Sequence, residues 1–177
     1  MRRFLEWLAG HLPQPRVIYD RAGCSPYLSR YYLIGAPFMT EGSEPIDRLG
    51  SPKPEAISPR GLGLYLHRFH QSDDDIALHN HPWKWARSLI LAGGYWEERR
   101  DEDRVTVRRI LRKPGAWLRI NQDDFHRVDL LERDSWSLFI AGPKTSSWSF
   151  WNRVTGETVH WREFIRRIRG SGWVAAL

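Results

Sequence analysis

The sequence predicts an all-β protein, a closed barrel or a two-sheet sandwich, with a short helix at each end. Three features predict it. From Gly61 to Arg153 one strand-like segment follows another, each of about five to nine residues. Turn signals separate them: Gly93-Gly94, Asp101-Glu102-Asp103, Pro114-Gly115, Gln122-Asp123-Asp124 and Gly142-Pro143. Helical spacing of apolar residues is confined to the two ends. Many short strands at near-regular spacing bury a core as a sandwich or a barrel.

The elements follow in order. Residues 2–10 place Phe4, Leu5 and Leu8 at helical spacing, and Gly10 and Pro13 end the run. "YLSRYYLIG", Tyr27 to Gly35, reads as a strand, with Arg30, Tyr32 and Ile34 on one face and Ser29, Tyr31 and Leu33 on the other. Residues 40–60 carry four prolines and few large apolar side chains, and read as a long, lid-like surface loop. The strand series then runs "GLGLYLHRFH", "ARSLILAGGYWEE", "RVTVRRILR", "GAWLRIN", "FHRVDLL", "SWSLFIAG" and "SWSFWNR". In "RVTVRRILR" apolar residues alternate imperfectly with arginines, so that strand is half exposed. "TVHWREFIRRIRG" puts Trp161, Phe164, Ile165 and Ile168 at helical spacing, with a basic last turn and Gly170 as a cap. The expected organisation is one domain over 1–177: an N-terminal region over 1–60, a barrel core over 61–154, and a C-terminal helix and tail over 155–177.

Charge and composition narrow the function. The net charge is +6, but acids are interleaved with the arginines, as in Glu97-Glu98-Arg99-Arg100-Asp101-Glu102-Asp103-Arg104. That pattern reads as a solvated surface and argues against a nucleic-acid partner. No apolar run reaches the roughly 18 residues of a membrane helix, so no membrane partner is expected. The N-terminus shows no signal-peptide pattern, and Cys24 is the single cysteine. A cytoplasmic protein is the expectation.

The chemistry gathers at histidine. His67, His70, His79 and His81 are four of the seven histidines in the chain. In "LHNHPW", His79 and His81 are spaced i and i+2, so on a strand both face one side and reach one ion. A third ligand must come from elsewhere, and His126 is the histidine set among the later strands. Imidazole suits Fe, Cu, Ni and Zn.

With these residues in view, the chain resembles the cupin superfamily, a double-stranded β-helix or jelly-roll barrel. "HNHPWKWARSLILAGG" supplies the His-any-His pair and Gly93 of the first cupin motif. "GAWLRINQDDFH" supplies Gly115 and His126 of the second. The likeness covers roughly residues 61–150. The glutamate of the first motif falls on Ala86, which leaves three histidines and no carboxylate. That pattern resembles the thiol dioxygenases, among them cysteine dioxygenase, and the resemblance is extended by "FHRVDL" and "SFWNRVTGE". It implies that Arg30, in "YLSRYYL", holds a substrate carboxylate. The second-layer histidine and catalytic tyrosine of that family fall near Phe139 and Ala141, so cysteine is not the expected substrate.

The resemblance implies a mononuclear non-haem Fe(II) dioxygenase of a small, anionic substrate, with Ni, Mn or Zn as other metals the site could hold. His79, His81 and His126 would bind the metal. Arg30, His67 and Tyr65 would meet the substrate, although His67 reads equally as a satisfied core histidine. Trp83 and Trp85 would wall the pocket or close the barrel mouth. Glu97 is the carboxylate to consider if Ala86 points away from the site. Rival readings are a metal-dependent isomerase or lyase, and a ligand-binding module without catalysis. Partners are the substrate and dioxygen, with a homodimer left open.

Overall fold

Alternation of buried and solvent-facing side chains builds the barrel. In β5 (Trp85–Ala92), Ala86, Ser88, Ile90 and Ala92 are buried and the residues between them are not. In β8 (Trp117–Asn121), Leu118 and Ile120 turn inward. The computed structural model describes residues 1–20, 25–34, 62–73 and 77–170. Cys24, the loop expected over 40–60, and Asp74 and Asp75 lie outside these residues, as do the side chains of Ile165 and Ile168.

The remaining elements are α1 (Arg2–His11), β1 (Arg16–Tyr19), β2 (Pro26–Ile34), β3 (Gly63–Phe69), β4 (Leu78–His79), β6 (Tyr95–Arg100), β7 (Val107–Arg112), β9 (His126–Leu130), β10 (Ser135–Ala141), β11 (Ser149–Trp151), β12 (Thr158–His160) and α2 (Trp161–Gly170). They form two antiparallel sheets, ordered β1-β2-β3-β10-β5-β8 and β12-β11-β4-β9-β6-β7. Apart from the β6–β7 hairpin, successive strands of the core alternate between β3-β10-β5-β8 and β4-β9-β6-β7, the interleaving of a jelly roll. The fold is therefore the expected cupin-type barrel with a short helix at each end. Ile90 and Leu118 of the first sheet meet Tyr95 and Val128 of the second at its centre.

Four expectations change in detail. Residues 158–160 pair with β11 as a strand, so α2 starts at Trp161, where the apolar periodicity begins, and not at the head of the segment expected to be helical. β1 and the two-residue β4 carry too little alternation to be read from sequence. β7 begins at Val107 because Asp103 accepts hydrogen bonds from the backbones of Val105 and Thr106, holding the preceding turn open. A register shift between Tyr32 and Ile34 turns Ile34 out to 61% exposure, away from the face it was expected to share with Arg30.

The helices cover opposite sheets. Leu5 and Ala9 of α1 pack on Leu66, Ala92 and Trp136, behind the first sheet. Asp134, almost fully buried, binds Arg2 of α1 and Arg68 of β3 and ties the helix down. Phe164 of α2 stacks on Phe150 with ring centres 4.0 Å apart.

Both glycines of the cupin-like motifs have left-handed backbones, Gly93 at φ 73° and Gly115 at φ 90°. A Cβ on Gly93 would also sit 2.2 Å from the Asp134 carbonyl oxygen, whereas one on Gly115 would meet nothing within 4 Å. Gly115→Ala is expected to cost about 1–2 kcal/mol, the penalty of the left-handed backbone alone. Gly93→Ala is expected to cost clearly more, because the β5–β6 turn must move. Urea denaturation of both variants checks the order.

Candidate metal centre

His79 is on β4 and His126 opens β9, directly opposite one another across the ladder. Their ring centres are 5.1 Å apart. His81 lies one residue beyond Asn80, past the end of β4, so the expected strand does not reach it. Asn80 takes the place of a longer strand. Its backbone N–H donates to the Ser149 carbonyl at 3.1 Å, and its side-chain oxygen accepts the Ser149 N–H at 2.6 Å. That pair of hydrogen bonds to β11 aims His81 at the same point as His79.

One donor nitrogen from each of His79, His81 and His126 lies within 4.8 Å of the others. His81 Nε2 and His126 Nε2 are 2.8 Å apart. Metal–imidazole bonds of about 2.0–2.1 Å place neighbouring donor atoms roughly 3–4 Å apart, so small side-chain shifts would close this set on one ion. At His126 a hydrogen bond behind the ring selects the nitrogen that faces the site. His126 Nδ1 is 2.8 Å from Glu97 Oε1. His79 Nδ1 faces Asp73 Oδ2 at 3.9 Å. Burial, and then the nearby His126, His79 and Arg30, hold the His81 imidazole well below its usual pKa, which favours the neutral ring a metal needs.

Arg30, the expected anion holder, is in the same space. Its Nε donates to His67 Nε2 at 2.9 Å. Its guanidinium carbon lies 5.1 Å from the centre of the Tyr65 ring and 5.4 Å from that of Trp83. Among the described residues no carboxylate meets it. Arginine can only donate, so His67 accepts through Nε2 and carries its proton on Nδ1. Trp83 continues the wall to the candidate ligands, with its ring 5.5 Å from that of His81. Phe139 stacks on His67 at 4.7 Å. Tyr65 is half buried there, and burial raises its phenol, which stays protonated.

Ala86 is buried and packs with Tyr65, Trp83, Ile120, Phe139 and Ala141, so it faces the interior on the side of this wall. Trp85 points the other way, under Arg87 and against Gly142. Arg68 is structural, held by Asp134. His70 binds Ser29 at 2.8 Å.

One residue contradicts the reading of "EERR" as a solvated charge run. Glu97 is 0% exposed. Besides His126 it binds Arg112, whose Nε and Nη2 reach Oε2 at 2.8 and 2.6 Å. Burial alone would raise the Glu97 carboxyl, but hydrogen bonds and positive charge from His126 and Arg112 bring it down to about 2. The available signal is its spacing from Tyr95: the two share one face of β6, and Tyr95 is buried.

No family model matches the chain, and no curated protein matches it. Among solved structures, hydroxypropylphosphonic acid epoxidase from S. wedmorenis is similar over 73% of this chain and 58% of its own, with 13% identity and a TM-score of 0.44. KdgF from Halomonas sp. is similar over 69% of this chain and 85% of its own, with 15% identity and a TM-score of 0.42. An oxalate oxidase covers 50% of this chain and 45% of its own, at 10% identity and a TM-score of 0.41. The chain thus spans under three fifths of the epoxidase. Likenesses at this level say nothing of the reaction, and the site stands on its own geometry.

Burial, and then the Arg30 charge, also hold His67 well below its usual pKa. Below about pH 6.5 the unfolded chain gains a proton at this position that the folded chain refuses. Stability from this group is therefore present above that pH and lost as the pH falls toward the folded-state value. The metal-free protein is expected to melt at a lower temperature at about pH 5.5 than at about pH 7.5. His67→Gln, whose amide oxygen can still accept from Arg30, should narrow that difference, with His81 contributing the remainder; an unchanged difference would place the effect elsewhere.

Proposed function

We propose that the protein is a mononuclear metal-dependent enzyme, a non-haem Fe(II) oxygenase acting on a small anionic substrate. The observation that carries this reading is the convergence of His79, His81 and His126 beside an arginine that meets no carboxylate among the described residues. The three histidines would hold the ion through neutral imidazole nitrogens. Fe(II) is the expected metal, with Ni, Mn or Zn as alternatives, since geometry and supply decide among them. When bound, such an ion supplies open positions where dioxygen and a chelating substrate are held side by side.

The chain's own groups would do the rest. His67 occupies the Arg30 Nε and leaves the two Nη groups to grip a carboxylate or similar anion from the end of the fork. Tyr65 and Trp83, with ring centres 5.1 and 5.4 Å from the guanidinium carbon, would help hold it in place. Tyr65, with its phenol protonated, can donate a hydrogen bond to the substrate. Trp83 and Phe139 exclude water from the space between Arg30 and the histidines. A second reading is favoured by one feature: Tyr65 and His67 are neutral groups able to carry a proton, as a metal-dependent isomerase or lyase requires. Dioxygen consumption during turnover separates the two. A metal-free binding module is separated from both by metal content.

Protein reconstituted anaerobically with Fe(II) is expected to carry about one ion per chain. His79→Ala and His81→Ala should abolish that content while the fold, followed by circular dichroism, persists. Arg30→Lys should retain the ion and the melting temperature, yet lose most of the thermal stabilisation conferred by small carboxylates and phosphate on the wild type. Loss of the ion in Arg30→Lys would make Arg30 part of the framework.

A further inference from the structure

We propose that Glu97 is the carboxylate of this centre, acting on the ion from behind His126 instead of as a ligand, and that it supplies the negative charge missing at Ala86. The inference rests on the three-histidine site being a metal site. Three observations carry it. Glu97 has no exposed surface. Its Oε1 sits 2.8 Å from His126 Nδ1, on the far side of the ring from the Nε2 that meets His81. Its Oε2 is held by Arg112. Both oxygens are thus engaged, and the group of donor atoms lying within 4.8 Å of one another comprises the three histidines without Glu97.

An ionised carboxylate can only accept, so His126 must carry its proton on Nδ1. Nε2 is then left with its lone pair directed into the site. A carboxylate bonded to the rear of a ligating imidazole also makes that ring a stronger donor. Arg112 does not cancel this effect. It engages the opposite oxygen and reaches toward solvent, with 20% of its side chain exposed, so the charge nearest His126 is the negative Oε1. Arg99, whose Nη1 lies 3.9 Å from Oε1, is committed to Asp124. Glu97, fully buried, needs a partner at each oxygen, and Arg112 serves one of them. Its second bond goes to one of the three candidate ligands, and specifically to the nitrogen facing away from the site.

The test uses the full chain and three ions, Fe(II), Co(II) and Zn(II), with affinity measured by anaerobic competition against a chromophoric chelator. Glu97→Gln keeps the size and a hydrogen-bond acceptor but removes the charge. It is expected to fold, to weaken ion affinity by about 10- to 100-fold, and to shift the visible absorption bands of the Co(II) form. If Glu97→Gln does not fold because Arg112 is left without its partner, the double variant Glu97→Gln/Arg112→Gln removes both buried charges and gives the same readout. Wild-type affinity together with a wild-type Co(II) spectrum in the folded variant overturns the inference while leaving the three-histidine site intact. Failure of the wild type to bind any of the three ions overturns the site reading itself, and this inference with it.

Discussion

The structure hangs on one cross-strand pair, His79 opposite His126. Side chains alternate along a strand, so a slip of one residue between β4 and β9 would send one imidazole out of the barrel. A two-residue strand cannot fix its own register. Polar residues on both sides of it do so. Before β4, the Asp73 N–H donates to the Val128 carbonyl at 2.9 Å, and the Val128 N–H returns a bond to the Asp73 carboxylate at 2.6 Å. After it, Asn80 makes the matching pair of bonds to Ser149. The histidine pair is thus pinned to β9 on one side and β11 on the other. His81, off the strand, inherits its direction from Asn80.

The two sheets divide the chemistry between them. The second contributes His79 and His126 as candidate donors, with Glu97 behind them. The first contributes Arg30, His67 and Tyr65, which lie on adjacent strands with Arg30 opposite His67. Charge is handled differently on each side. Glu97 is fully enclosed and has two partners, as a buried carboxylate must. Arg30 is half buried; among the described residues its hydrogen-bond partner is a neutral imidazole and its flanks are aromatic. An arginine placed this way has its desolvation offset only in part, which is the condition under which an anionic ligand gains most from meeting it.

Much of this was legible in the sequence, for identifiable reasons. The jelly roll showed in strands long enough to display alternation, such as β5 and β8, and in glycines whose positive φ no other residue adopts cheaply. The three histidines showed because their residue type and spacing are uncommon. Arg30 showed through its face of the strand, which β2 keeps as far as Tyr32. What stayed hidden was either too short to have a period or polar where polarity suggests solvent. β4 spans two residues, and Asn80 replaces strand pairing with a side chain. Glu97 stood in a run of charges, and only its shared face with Tyr95 distinguished it from Glu98, which binds Arg153.

The same contrast explains why the site can dispense with a carboxylate at Ala86. That position lies among Tyr65, Trp83, Phe139 and Ile120, a wall built from aromatic and aliphatic surface. A glutamate there would be set against apolar surface, and the cation beside that wall is Arg30, whose Nη groups meet no carboxylate among the described residues. An internal carboxylate within reach of Arg30 would compete with any external anion for the same fork. Keeping the first sheet free of acids while burying Glu97 behind the second would leave the positive end of the pocket to an anionic ligand and the negative charge at the back of the candidate metal site. The separation follows from topology: Glu97 reaches His126 because β6 and β9 are neighbours, and Arg30 faces the centre from the other sheet.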